Sequence, residues 1–303
     1  MPEPPTLVRR GRLLRTGAAV VVLLAVVGYV ALQYVYGGKP EPRCTVVSGK
    51  GDGASYTFTA EQAENAATVA AAGTSRGMPE RAVTIALATA LQESGLRNLA
   101  HGDRDSLGLF QQRPSQGWGD ERQIMDPAYA AGRFYEHLAE VPGYSRLPLT
   151  VAAQRVQRSG YPQAYAKHEP DAALLAAALT GRAPAAFSCE GRPDTDPGGP
   201  AQVRAALVRD FGREVRPGAA RGRTVTVPVP AAVATDRAPQ RGWELAHWAV
   251  AHSSALHIER VSYGGREWRA GGSGTWRAVG RAAEDGGAAG PEAAGEVRIV
   301  TGQ

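Results

Sequence analysis

The sequence predicts a mainly α protein: one N-terminal membrane-spanning helix, a helical domain and a small C-terminal α/β module. Three observations predict it. An uncharged apolar run stands near the start, alanine-rich stretches with apolar residues at helical spacing fill the middle, and a helix flanked by strand-like alternation follows residue 223. With 303 residues, 43% of them hydrophobic, the chain has material for about two ordinary domains at roughly 150 residues each. Its 37 glycines and 21 prolines exceed average usage, which points to ordered modules joined by linkers. The net charge of +5 is concentrated at the start, where Arg9, Arg10, Arg12 and Arg15 face only Glu3. Elsewhere the arginines are scattered rather than gathered on one face, which argues against a nucleic-acid partner.

Residues 1–17 read as a basic cytoplasmic tail and 18–36 as a transmembrane helix. The charge-free stretch from Ala18 to Val35 reaches about 27 Å as a helix, close to the thickness of a bilayer core. Arginines on one side and Tyr29, Tyr34 and Tyr36 toward the other orient it with the N-terminus inside, and the rest of the chain is expected outside the cell. A cleaved signal peptide is the alternative, but no small-x-small site follows the run. A single span encloses no transport pathway. Residues 37–55 read as a linker with short extended or turn structure.

The helical domain is placed at 56–189. Thr59 and Gln62 fit a capping box ahead of a helix ending at Gly73. Pro79 sits early in a second helix that runs to Gly95, with Val83, Leu87, Ala90 and Leu91 at core spacing. A polar, glycine-rich loop or short hairpin follows, and further helices open at Asp126, Thr150 and Asp171. Residues 190–223 read as a linker with a helical turn or two. The module at 224–281 combines a strand, a helix around Trp243 and Trp248, and a hairpin at Gly264 and Gly265. The tail, 282–303, is too poor in apolar residues to fold, apart from a possible edge strand at VRIV. Trp243, Trp248, Trp268 and Trp276 fit either a module core or an aromatic binding face.

Cys44 and Cys189 bracket the helical domain and can close a disulfide, two independent thiols being the alternative. There is no CxxC pair, and His247, His252 and His257 recur every five residues, which turns each away from the last on a helix. No metal and no cofactor is indicated. Glu93 is the acid of interest. It stands in the last turn of an apolar helix, where burial and the negative end of the helix dipole both favour its protonated form. A carboxyl kept protonated can donate to a glycosidic oxygen. The competing reading is an ion pair with Arg97, four residues on.

The runs LQESGLRNL at Leu91 to Leu99 and DSLGLFQQRP at Asp105 to Pro114 resemble the ES and GLMQ motifs of the lysozyme-like lytic transglycosylase superfamily. The resemblance covers residues 56–189. It implies a lysozyme-like α domain in which Glu93 is catalytic acid and base, Ser94 supports it, and Gly108, Leu109, Phe110 and Gln111 form the floor of a sugar groove. The stretch from Ala152 to Glu169 is similar to a third region of wall hydrolases, which would be carried by Gln157, Tyr161 and Tyr165. These three lie in a sequence that departs from the AYNxG form, and the tyrosines fit helix packing as well. Gly108 lets a sugar approach the backbone, Gln111 and Gln112 offer donors and acceptors, and Trp118 suits either a pyranose face or a local core. A hydrolase would need a second carboxylate, for which Asp103 and Asp105 are the candidates, although both also suit turns. The transglycosylase route needs only one.

The resulting expectation is a membrane-anchored enzyme cleaving peptidoglycan glycan strands, with a noncatalytic peptidoglycan-binding or scaffolding protein as the alternative. Protein partners are not indicated.

Overall fold

The computed structural model describes residues 17–31, 42–158, 163–191, 198–229, 234–271, 274–279 and 295–302. About 48% of the chain is helix and 16% strand, with two antiparallel sheets, so the mainly α expectation is corrected to a mixed α/β architecture. The strands at 43–47 and 187–189 are one reason: they pair with each other across more than a hundred positions, and no local signal marks such a pairing.

The membrane expectation is also corrected. The first helix, α1, covers residues 17–31, and Val20, Leu23 and Leu24 are among its exposed side chains. The fifteen described residues of this helix rise about 22 Å. Among the described residues no helix is long and apolar enough to cross a membrane, so the single-pass anchor over 18–36 and the inside-to-outside placement built on it are withdrawn. Tyr34 and Tyr36 lie outside the described residues.

Residues 42–303 form one compact unit. In chain order it contains β1 (Arg43–Val47), β2 (Ser55–Thr59), α2 (Ala60–Thr74), α3 (Glu80–Ser94), α4 (Glu121–Ile124), α5 (Pro127–Ala139), α6 (Leu149–Gln157), α7 (Glu169–Leu179), β3 (Phe187–Cys189), α8 (Pro200–Phe211), β4 (Thr224–Pro228), α9 (Ala234–Ala251), β5 (Ile258–Tyr263), β6 (Arg266–Arg269), β7 (Arg277–Ala278) and β8 (Glu296–Thr301). The first sheet runs β2-β1-β3 and the second β4-β8-β5-β6-β7. Helix α8, twelve residues long, occupies the stretch expected as a linker, and β8 lies second in its sheet rather than at an edge.

Cys44 and Cys189 face each other in the β1–β3 register and are joined by a disulfide across 145 positions. In the chain-entropy account a loop of that length stabilises by about 5 kcal/mol. Tryptophans from the C-terminal part grip the same strand. Trp268 Nε1 donates to the Cys189 carbonyl at 2.9 Å and Trp276 Nε1 to the Phe187 carbonyl at 2.8 Å. All four C-terminal tryptophans are buried, so they build core rather than a binding face. A second seam joins α2, α8 and α9 through Asp210, whose fully buried carboxylate accepts from Thr68 (3.0 Å), Trp248 (2.8 Å) and Arg209 (2.7 Å) and lies 3.4 Å from His252 Nε2.

Candidate active site

Helix α3 positions Glu93. The helix opens after Pro79, whose fixed φ suits the entry, and stops at Gly95, where φ is +64°. Helix α2 secures this reversal: Gln62 donates to the Gly95 carbonyl at 2.8 Å and Asn65 to the Leu96 carbonyl at 2.9 Å. Gln62 also completes the capping box with Thr59 that starts α2, so one side chain serves both the beginning of one helix and the end of the next. The last turn of α3 is thereby held against the core, with Ala86, Ala90 and Leu91 buried beneath it.

Glu93 itself is half-buried and receives a 2.6 Å hydrogen bond from the Tyr165 hydroxyl. Gln157 also hydrogen-bonds its carboxyl. Burial raises the Glu93 pKa above the ordinary 4.5, and the two neutral donors offset part of that rise. Arg97 does not pair with it. The guanidinium is exposed and its Nε donates to the Ser94 carbonyl at 3.3 Å.

The glycine-rich loop reaches this corner through its backbone. Ser94 Oγ donates to the Leu109 carbonyl at 2.8 Å, and Gln157 Nε2 donates to the Phe110 carbonyl at 2.5 Å. Leu109 and Phe110 are fully buried, and Phe110 stacks on Phe134 with centroids 4.9 Å apart. Ser94, Leu109, Phe110, Gln157 and Tyr165 are therefore brought together around Glu93. Gly108 and Gln111 serve the loop instead. Gly108 is buried at φ +74°, and a Cβ there would meet the Ile124 carbonyl at 2.7 Å, so its missing side chain makes room for protein. The Gln111 amide donates to the Gly108 carbonyl, and Gln112 is buried with its amide on the Ala130 carbonyl. Tyr161 lies outside the described residues.

Asp105 is committed elsewhere. It pairs with Arg113 at 2.5 Å and accepts from the Ser115 backbone at 2.9 Å, and the hydrogen bonds from Ser115 and Arg113 hold its pKa far below the usual range. Asp103 is exposed and its carbonyl closes a turn to Ser106. Both act as turn residues.

A cleft of about 620 Å³ opens beside Gln157. Its described lining includes Trp118, His137, Glu140, Arg155, Gln157 and Arg158. Trp118 is mostly buried and packs on the His137 ring at 4.4 Å. Sequence reasoning passed over His137 and both arginines, because an arginine in a helix's last turn is ordinary until its surroundings are known. Neither the models of known protein families nor the curated proteins contain a match to this chain.

Proposed function

We propose that this protein cleaves the glycan strands of peptidoglycan by lytic transglycosylation, with Glu93 as the one catalytic carboxyl. The observation that carries the reading is convergence. Three stretches that resemble separate wall-hydrolase motifs meet at one corner: Tyr165 and Gln157 hydrogen-bond the half-buried Glu93, whose pKa is raised by burial, and the carbonyls of Leu109 and Phe110 anchor Ser94 and Gln157 beside it.

The chemistry follows from what surrounds Glu93. Protonated, it donates to the glycosidic oxygen as the C1–O bond breaks, and the substrate's own N-acetyl group assists at C1. The resulting carboxylate takes the proton from the sugar's C6 hydroxyl, whose oxygen then bonds to C1. Glu93 returns to its protonated state, no water is consumed and a 1,6-anhydro end is left. Tyr165 steadies the carboxylate during the charged phase, and a hydroxyl donor suits that role because it adds no positive charge that would strip the proton beforehand. The engagement of Asp105 with Arg113, and the turn role of Asp103, favour the one-carboxyl route over hydrolysis.

The test is the full chain incubated with isolated wall, with products read by mass spectrometry. Wild type should release anhydro-ended fragments, lighter by one water than reducing-end products, and Glu93→Gln should lower release by about 10³-fold. Equal release by both proteins would remove Glu93 from the mechanism. Glycan pull-down with no product from wild type would leave a binding protein.

A further inference from the structure

We infer that the cleft beside Gln157 is a subsite for a carboxylate carried on the glycan, such as the acidic peptide branch of a wall strand. The inference rests on the proposed glycan substrate and specifies which part of it is recognised. Four features of the cleft lead there.

It adjoins the reacting acid. Gln157 lines the cleft and also hydrogen-bonds Glu93, so a strand whose glycosidic oxygen lies at Glu93 has its neighbouring substituent at the cleft mouth. Next, it carries unspent positive charge. Arg155 and Arg158 both line it, both are exposed, and neither has an ion-pair partner among the described residues. Four other arginines of the helical part are ion-paired: Arg81 with Glu169, Arg113 with Asp105, Arg133 with Glu136 and Arg182 with Glu80. The cleft's own carboxylate, Glu140, lies 3.8 Å from His137 Nδ1 and can offset only one of the two guanidinium charges.

The third feature is backbone. Arg158 sits just past α6 in the left-handed region at φ +52°, an uncommon place for a side chain of its size. Its N–H returns to the Gln154 carbonyl at 2.8 Å, which fixes the turn from which the guanidinium extends. Finally, part of the lining is aromatic. Trp118 and His137 form a packed face, suited to the apolar side of a sugar or a small aliphatic residue, while the arginines offer planar forks that match a carboxylate.

Binding separates this subsite from turnover. The full chain carrying Glu93→Gln is titrated by calorimetry with soluble peptide-bearing glycan fragments, and with the same fragments after their carboxyls are converted to amides. The native fragments should bind about 10-fold more tightly, and the difference should vanish when Arg155→Gln and Arg158→Gln are added. Thermal melts superimposed on that of Glu93→Gln alone establish that the arginine variants are folded. Equal affinity for native and amidated fragments overturns the subsite, as does a preference that survives loss of both arginines. A charge preference in a protein whose wild type releases no product would support the subsite while refuting the cleavage reading. Product release together with indifference to amidation would do the reverse.

Discussion

Glu93 and Asp210 are both carboxylic acids removed from water, yet their surroundings drive them in opposite directions. Around Glu93, at the end of α3, the hydrogen-bond donors are a phenol and an amide, so burial prevails and the proton is held more tightly than in water. Around Asp210, at the meeting of α2, α8 and α9, burial also pushes the pKa up. There His252 and Arg209 outweigh it, with Thr68 and Trp248 filling the remaining acceptor positions, and the group stays ionised well below the usual range. Depth alone does not decide what a buried acid does. Neutral partners leave a proton available for transfer, whereas cationic partners turn the acid into a fastener.

The sharpest way to break that comparison is to cut the fastener. Asp210→Ala leaves the Thr68 hydroxyl, the Trp248 N–H and His252 without their common acceptor, inside a region that excludes water. The expected loss is about 3–5 kcal/mol of unfolding free energy, read from urea melts, because one member of a buried charged set is removed and the others remain. Asp210→Asn should recover part of it through the surviving amide oxygen. A loss under about 1 kcal/mol would mean that the seam draws its strength from apolar packing alone.

The sequence disclosed the Glu93 side of this comparison more readily than the Asp210 side, for a physical reason. Local signals mark local structure. The Thr59–Gln62 capping box, the Gly95 stop and the Asp126 cap were all readable, because each acts within a turn of its own helix. Asp210 meets a threonine 142 positions away and a tryptophan 38 positions away, and no periodicity records such pairings. The β1–β3 pairing that brings Cys44 to Cys189 is equally non-local, which is why two cysteines left the bridge open and why the strand content was underestimated. At the candidate site, motif spacing singled out the loop whose backbone meets Ser94 and Gln157. It did not reveal that the carbonyls of Leu109 and Phe110, rather than Gly108 and Gln111, are what meet Ser94 and Gln157.

A smaller effect is expected from altering a neutral partner. Tyr165→Phe removes the 2.6 Å hydrogen bond that lowers the Glu93 pKa, so the pKa should rise further and the alkaline limb of the pH–rate profile should move to higher pH. Turnover should fall about 10-fold, since the carboxylate formed in mid-reaction loses a donor. The two changes together distinguish positioning from packing. A fall in rate with an unmoved alkaline limb would show that the hydroxyl does not act through the proton on Glu93.

The smallest effect carries the comparison into stability. Because the folded-state pKa of Glu93 is raised, the folded chain holds a proton that the unfolded chain releases as pH climbs above about 4.5, and stability is lost through that window up to the folded value. Asp210 works with the opposite sign. Its folded pKa is depressed, so its contribution is present above its ordinary 3.8 and is lost as pH falls through the folded value. Glu93→Gln should therefore be more stable than wild type at pH 7, seen as a higher Tm, with the advantage gone by pH 4. Asp210→Asn should show its deficit at pH 7 and approach wild type only in strong acid. Thermal melts of the three proteins from pH 3 to 8 resolve both slopes. A glutamine variant no more stable than wild type across that range would mean that Glu93 is solvated enough to ionise freely, and the proton needed for glycan cleavage would have no shelter.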